Sequence, residues 1–240
     1  DEVRAEGVRR ALEFFQSILK LSPGRESELI AAMEQAGCLN SEIAQLWPGD
    51  DATARLRRAQ FFFDRKQWAQ VDRELNMPAP AAPAESAWFY SIRGTLALKR
   101  GEVNAGRDDW KLALGARTRV EREIDRWLAP HARELKGDTC ERLGADLLPE
   151  LARYPELAGS LAGVLIKERR FAAADALLEH VASKSPELGA QWAELALEVG
   201  DLASAATRAR MTWERALSLP RWGDWYTQFQ KRLKERRGAQ

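Results

Sequence analysis

Apolar residues along this chain recur at spacings of three and four, and no stretch sustains an alternation of period two, so the pattern predicts helices throughout. The signal is clearest between residues 87 and 120. Tyr90, Gly94 and Ala97 fall on one helical stripe, which breaks at Lys99-Arg100-Gly101-Glu102. Val103, Gly106, Trp110, Ala113 and Leu114 then mark one face of a second helix. Small residues (Gly94, Gly106, Ala113) stand among large ones, as a tightly packed helical hairpin requires.

The same design returns at Ala158, Leu161, Ala162 and Leu165, followed by Phe171, Ala174, Leu178, Val181 and Pro186. Matching positions such as Val103 and Phe171 lie 171 − 103 = 68 residues apart, twice a period of about 34. The segments GTLALKRGEVNAGRDDWKLAL and LAGVLIKERRFAAADALLEHVASKSP resemble tetratricopeptide repeats, each with a small residue in its first helix, a turn, and a small residue three places into the second helix. Only the second segment keeps the closing proline of that family.

The resemblance implies an all-α fold: a right-handed α-solenoid of antiparallel helix pairs, taken here as a single domain over 1–240. Its clear repeats cover 87–120 and 155–186. Weaker units fall at 1–50, 52–84, 121–154 and 187–220, and a capping helix at 221–240. In the slot 121–154, Pro130 stands where a first helix should continue and is expected to break or kink it. For the cap, Pro220 is expected to close the last unit and Asp224 to start a helix whose inner face carries Trp225, Phe229 and Leu233. The chain starts without Met inside what reads as a second helix, as a piece of a longer protein would; attachment to a membrane segment elsewhere in that protein is left open, as is the compartment.

Composition narrows the chemistry. Lys and Arg number 37 against 36 Asp and Glu, a net charge of +1, which argues against nucleic acid as a partner despite the basic final helix. No apolar run approaches the roughly 20 residues that cross a bilayer. The two histidines, His131 and His180, have no metal-ligand spacing around them, and no phosphate-binding loop or nucleophile setting occurs. Cys140 sits at a small-residue packing position and reads as an inert buried thiol; Gly159 and Gly163 read as helix-contact positions. Neither a catalytic residue, a metal nor a cofactor is expected. Of nine tryptophans, Trp68, Trp110, Trp127 and Trp192 fall at packing positions, while Trp88, Trp222 and Trp225 lie at unit edges with a better chance of exposure.

In tetratricopeptide arrays the first helices line a concave groove that holds ligands. By register the resemblance places Gln60, Phe63, Asp64, Trp88, Ser91, Thr95, Leu98, Lys99, Ile166, Lys167, Glu194 and Glu198 there. Polar groups mixed with apolar ones suit a peptide or protein partner. The basic carboxylate clamp of chaperone-tail binders is not evident, because Lys99 and Lys167 stand isolated. The function expected is therefore a protein-interaction scaffold. The alternative is a domain of a larger bacterial envelope protein, such as a polysaccharide polymerase or ligase or a secretion component, contacting a partner or a glycan.

Overall fold

The computed structural model describes residues 2–216 and 219–238, apart from the Pro23 side chain. Asp1, 217–218 and 239–240, at the edges of the expected spans 1–50, 187–220 and 221–240, lie outside them. The fold is an all-α solenoid built from helices paired into hairpins, with no strand among the described residues. Two compact units divide the chain, Asp1–Ile92 and Arg93–Gln240. The first holds α1 (Glu2–Leu21), α2 (Glu26–Gln35), α3 (Asn40–Ile43), α4 (Ala52–Asp64), α5 (Trp68–Leu75) and the start of α6 (Pro83–Lys99), inside which the division falls. The second continues with α7 (Val103–Gly115), α8 (Glu121–Ala132), α9 (Gly137–Asp146), α10 (Leu148–Leu151) and α11 (Pro155–Lys167). It ends with α12 (Phe171–Val181), α13 (Pro186–Glu198), α14 (Leu202–Arg215) and α15 (Pro220–Gly238).

Five helices stop in the same way. Gly37, Lys66, Gly101, Arg169 and Gly200 take left-handed φ angles of 74°, 57°, 82°, 58° and 84°. The next residue of each donates its N–H to the carbonyl five back: Cys38 to Met33, Gln67 to Phe62, Glu102 to Ala97, Arg170 to Leu165, Asp201 to Ala196. This closure satisfies carbonyls that a helix end would leave unpaired. Gly101 and Arg169 are 169 − 101 = 68 residues apart, so the turns repeat with the hairpins. Leu135, one period of about 34 beyond Gly101, is not among the left-handed residues, and the slot there is built differently.

Pro130 does not break its helix as expected. It lies inside the last turn of α8, which runs on to Ala132; the ring forfeits one hydrogen bond near an end that is close anyway. What secures this slot is polar. Asp125, on α8 and 5% exposed, accepts the backbone N–H groups of Glu156 (3.1 Å) and Leu157 (2.8 Å) at the start of α11. Tyr154, the residue in the capping position, makes no side-chain bond to the start of α11. Arg153 pairs with Glu121 at 2.6 Å and also donates to the Leu114 carbonyl near the end of α7, which Tyr154 Oη reaches as well (3.3 Å). Side chains beside one helix thus complete the ends of two others.

The part of α6 in the second unit meets α7 at backbone distance. A Cβ on Gly94 would lie 2.6 Å from Trp110 Cδ1 and 2.9 Å from the Gly106 carbonyl; one on Gly106 would lie 2.5 Å from Leu98 Cγ. Trp110, fully buried, donates from Nε1 to Thr95 Oγ1 at 3.1 Å. At the other end, α15 starts at Pro220, where a fixed φ and a missing N–H suit a first helical position. Asp224 is therefore inside the helix rather than before it, and Trp222, expected at an exposed edge, is buried with Ala190 and Ala216. Phe229 and Leu233 close the core over Ala193, Ala196, Ala205 and Ala209.

Three outcomes follow. Gly106→Ala should lower stability by about 1–3 kcal/mol through overpacking, and Gly101→Ala, whose Cβ would meet nothing within 4 Å, by about 1 kcal/mol through left-handed strain alone; urea midpoints measure both. Burial pushes the Asp125 carboxyl up from 3.8 to about 6, against the lowering effect of its two N–H partners. A raised folded pKa means that folding takes up a proton between pH 3.8 and about 6. The contribution of this group is thus fully present below pH 3.8 and is lost as pH rises through about 6. Asp125→Asn should flatten that part of the stability–pH curve; an unchanged slope would refute the assignment.

Candidate functional site

In the second unit one face of α11 is open. Pro155, Glu156, Gly159, Ser160, Gly163, Val164 and Lys167, at three- and four-residue steps, line a groove of about 750 Å³. The start of α13 supplies the opposite wall with Ser185, Glu187, Leu188 and Gln191, and Arg133 stands at one end, just beyond α8. The glycines make the seam close. A Cβ on Gly159 would lie 3.2 Å from Leu188 Cδ2, and one on Gly163 would lie 3.6 Å from Gln191 Nε2. Gln191 Nε2 donates to the Gly159 carbonyl at 3.2 Å, fixing α13 against α11. Since Asp125 holds the N-terminus of α11, the groove wall is set by that buried carboxylate.

The charges on this groove are unevenly matched. Both carboxylates at its rim have partners: Glu156 with Arg126 at 3.5 Å, Glu187 with Arg221. The two cations do not. Arg133 Nε donates to the nearly buried Ser160 Oγ (3.1 Å), which orients the guanidinium, but neither Arg133 nor Lys167 forms an ion pair with a described residue. An anion can therefore be received here without first breaking a salt bridge.

The residues placed in a groove by register go to several environments. Lys167 lines the groove just described. Ile166 is its half-buried neighbour, while Glu198 is exposed on α13 and Glu194 is bound to Arg232 of α15. Phe63 (2% exposed), Ser91 (0%), Thr95 (1%) and Leu98 (6%) belong to the core, which leaves no side-chain surface for a ligand. Phe63 packs edge-on against Trp68, and Ser91 Oγ donates to the Ala87 carbonyl. Trp88 is half-buried, and Lys99 pairs with Glu134. Gln60 and Asp64 line a small recess of about 250 Å³ in the first unit.

Sequence reasoning missed Arg133, Ser160 and Gln191. A usable signal was present in the four-residue step from Gly159 through Gly163 to Lys167, which marks one helix face with room beside it.

Burial lowers the half-buried His131 to about 4, with Lys99 adding to the effect, so its ring is neutral near pH 7; it packs edge-on against Trp127. Burial pushes the Cys140 thiol up to about 12, and its Sγ lies 3.8 Å from the Ala132 carbonyl. Among the described residues no cluster of three or more His, Cys, Asp or Glu could hold a metal ion, and no helix is long and apolar enough to cross a membrane.

No family model matches the chain, and no curated protein matches its sequence. Among solved structures it is similar to the TPR2AB domain of yeast Sti1 in complex with pHSP90, at 14% identity and a TM-score of 0.31, over 88% of this chain and 97% of that one. It is also similar to the TPR domain of P58(IPK), at 17% identity and a TM-score of 0.28, over 94% of this chain and 65% of that one. Both are domains of the repeat type that the sequence resembles. The all-α repeat fold itself rests on the helices and turns of this chain.

Proposed function

We propose that the protein is an interaction scaffold, without catalytic activity, whose groove between α11 and α13 holds an extended segment of another protein. The observation that carries this reading is the pair of uncompensated cations, Arg133 and Lys167, on a groove whose carboxylates are already paired. A peptide bearing an acidic side chain or a free carboxyl end supplies the missing charge. Gln191, whose Nε2 is spent on the Gly159 carbonyl, keeps its side-chain oxygen as an acceptor for a peptide main-chain N–H.

Anisotropy titration with acidic, neutral and basic labelled peptide pools tests this reading. The acidic pool should bind, and Lys167→Glu or Arg133→Glu should each weaken binding about tenfold, a loss of about 1.4 kcal/mol. Gly163→Leu, which fills the groove floor from a half-exposed position, should weaken acidic and neutral peptides alike. No binding by any pool, or acidic binding indifferent to both charge reversals, would overturn the proposal.

A further inference from the structure

The first unit contains a recess of different chemistry. About 860 Å³ in volume, it is bounded by α1, the stretch from Leu39 to Asp50, α4 and α5. Volumes of this size accommodate small ligands of several rings. Five carboxamides face it: Gln16, Asn40, Gln45, Gln67 and Gln70. Four of the ten glutamines in the chain are thus gathered at one place, where chance would put fewer than one.

Two of these amides are tied to the wall, Gln16 Nε2 donating to the Gln45 carbonyl at 2.7 Å and Gln45 Nε2 to the Ser41 carbonyl at 3.5 Å. Their side-chain oxygens are left as acceptors. Asn40, Gln67 and Gln70 are half-buried and form no side-chain hydrogen bond with a described residue. Each presents a donor and an acceptor side by side.

Trp47 stands at the same recess, half-exposed. Its ring is tilted against Phe61 at 5.6 Å, and its main-chain carbonyl accepts from Arg58 Nη1 at 2.6 Å. Formal charge cancels. Arg58 pairs with Glu74 at 2.9 Å and approaches Asp50 at 3.7 Å, and Arg73 balances the second carboxylate. The recess offers neither a net charge to attract an ion nor a row of apolar pockets to anchor peptide side chains. It offers amide pairs and, in Trp47, an aromatic side chain at its wall.

We propose that this recess binds a neutral oligosaccharide. Neighbouring hydroxyls on a pyranose ring match the paired donor and acceptor of a carboxamide. The C–H face of the same ring lies against an indole, whose large apolar surface carries a polar edge. A ligand dense in hydroxyls and poor in charge is the one that these groups satisfy together. Nothing in this site depends on the groove of the second unit.

The test is calorimetric titration of the full chain with neutral tetrasaccharides (gluco-, manno-, galacto- and N-acetylglucosamine-type), with a uronic-acid tetrasaccharide and a neutral peptide pool as controls. At least one neutral saccharide should bind at or below about 1 mM, and its affinity should change little between about 50 mM and 500 mM salt. Trp47→Ala, and Gln67→Leu with Gln70→Leu, should each weaken binding at least tenfold; Trp47→Phe should retain part of it. Circular dichroism checks that the Trp47 variants are folded, and the half-exposed glutamines provide the variants least able to disturb the core. Absence of binding by every neutral saccharide would overturn the proposal. So would salt-sensitive binding of the acidic sugar alone, binding of the peptide pool in place of sugar, or saccharide binding untouched by the glutamine variants.

Discussion

A carboxylate enclosed between two helices fixes the geometry on which the second unit depends. Asp125 is placed by α8, yet the bonds it makes belong to α11, whose first N–H groups would otherwise face a buried surface unpaired. The burial that raises its pKa also makes its two hydrogen bonds hard to replace, since water has little access to them. From that fixed end α11 packs against α8, α9 and α12 and exposes its glycine face beside α13. Arg153 extends the same device to the end of α7, so three helices share two polar anchors.

This arrangement explains why the irregular slot holds together without the turn used elsewhere. Hairpins closed by a left-handed residue take their register from the backbone itself, through a pair of bonds that any sequence with a suitable residue can form. The stretch between α8 and α9 closes instead through short local bonds, Glu134 N–H to the His131 carbonyl and Leu135 N–H to the Ala132 carbonyl, and side-chain caps tie α8 to α11 and the end of α7. A titrating group at one such cap makes that part of the unit responsive to pH in a way the glycine-closed hairpins are not.

The helical character, the hairpin between residues 87 and 120 and the place of its glycines were legible from spacing, because close approach demands small residues wherever it occurs. The caps were not. Asp125 and Glu156 are 31 positions apart, and no local pattern links a carboxylate to a helix start so distant. The same limit misplaced the cap at Asp224, where a local rule favoured Asp although Pro220 already began the helix. Groove residues were harder still. Register placed candidates on α4, α6, α11 and α13, but an open face depends on which side the neighbours cover, and Phe63, Ser91, Thr95 and Leu98 face the core. The carboxamide recess had no signature at all, since it assembles from four separated stretches of chain.

The contact of Gly94 with Gly106 has a mechanical side. Where two helices meet through their backbones, there are no side-chain rotamers between them to exchange, and a small slide would bring carbonyls and Cα atoms into collision. That part of α6 and α7 therefore behaves as a single stiff strut. The seam between α11 and α13 is held by Leu188 and the jointed side chain of Gln191, which can reorient while keeping a partner. Of these two seams the one beside the groove is thus the one whose contacts run through side chains rather than through main chain.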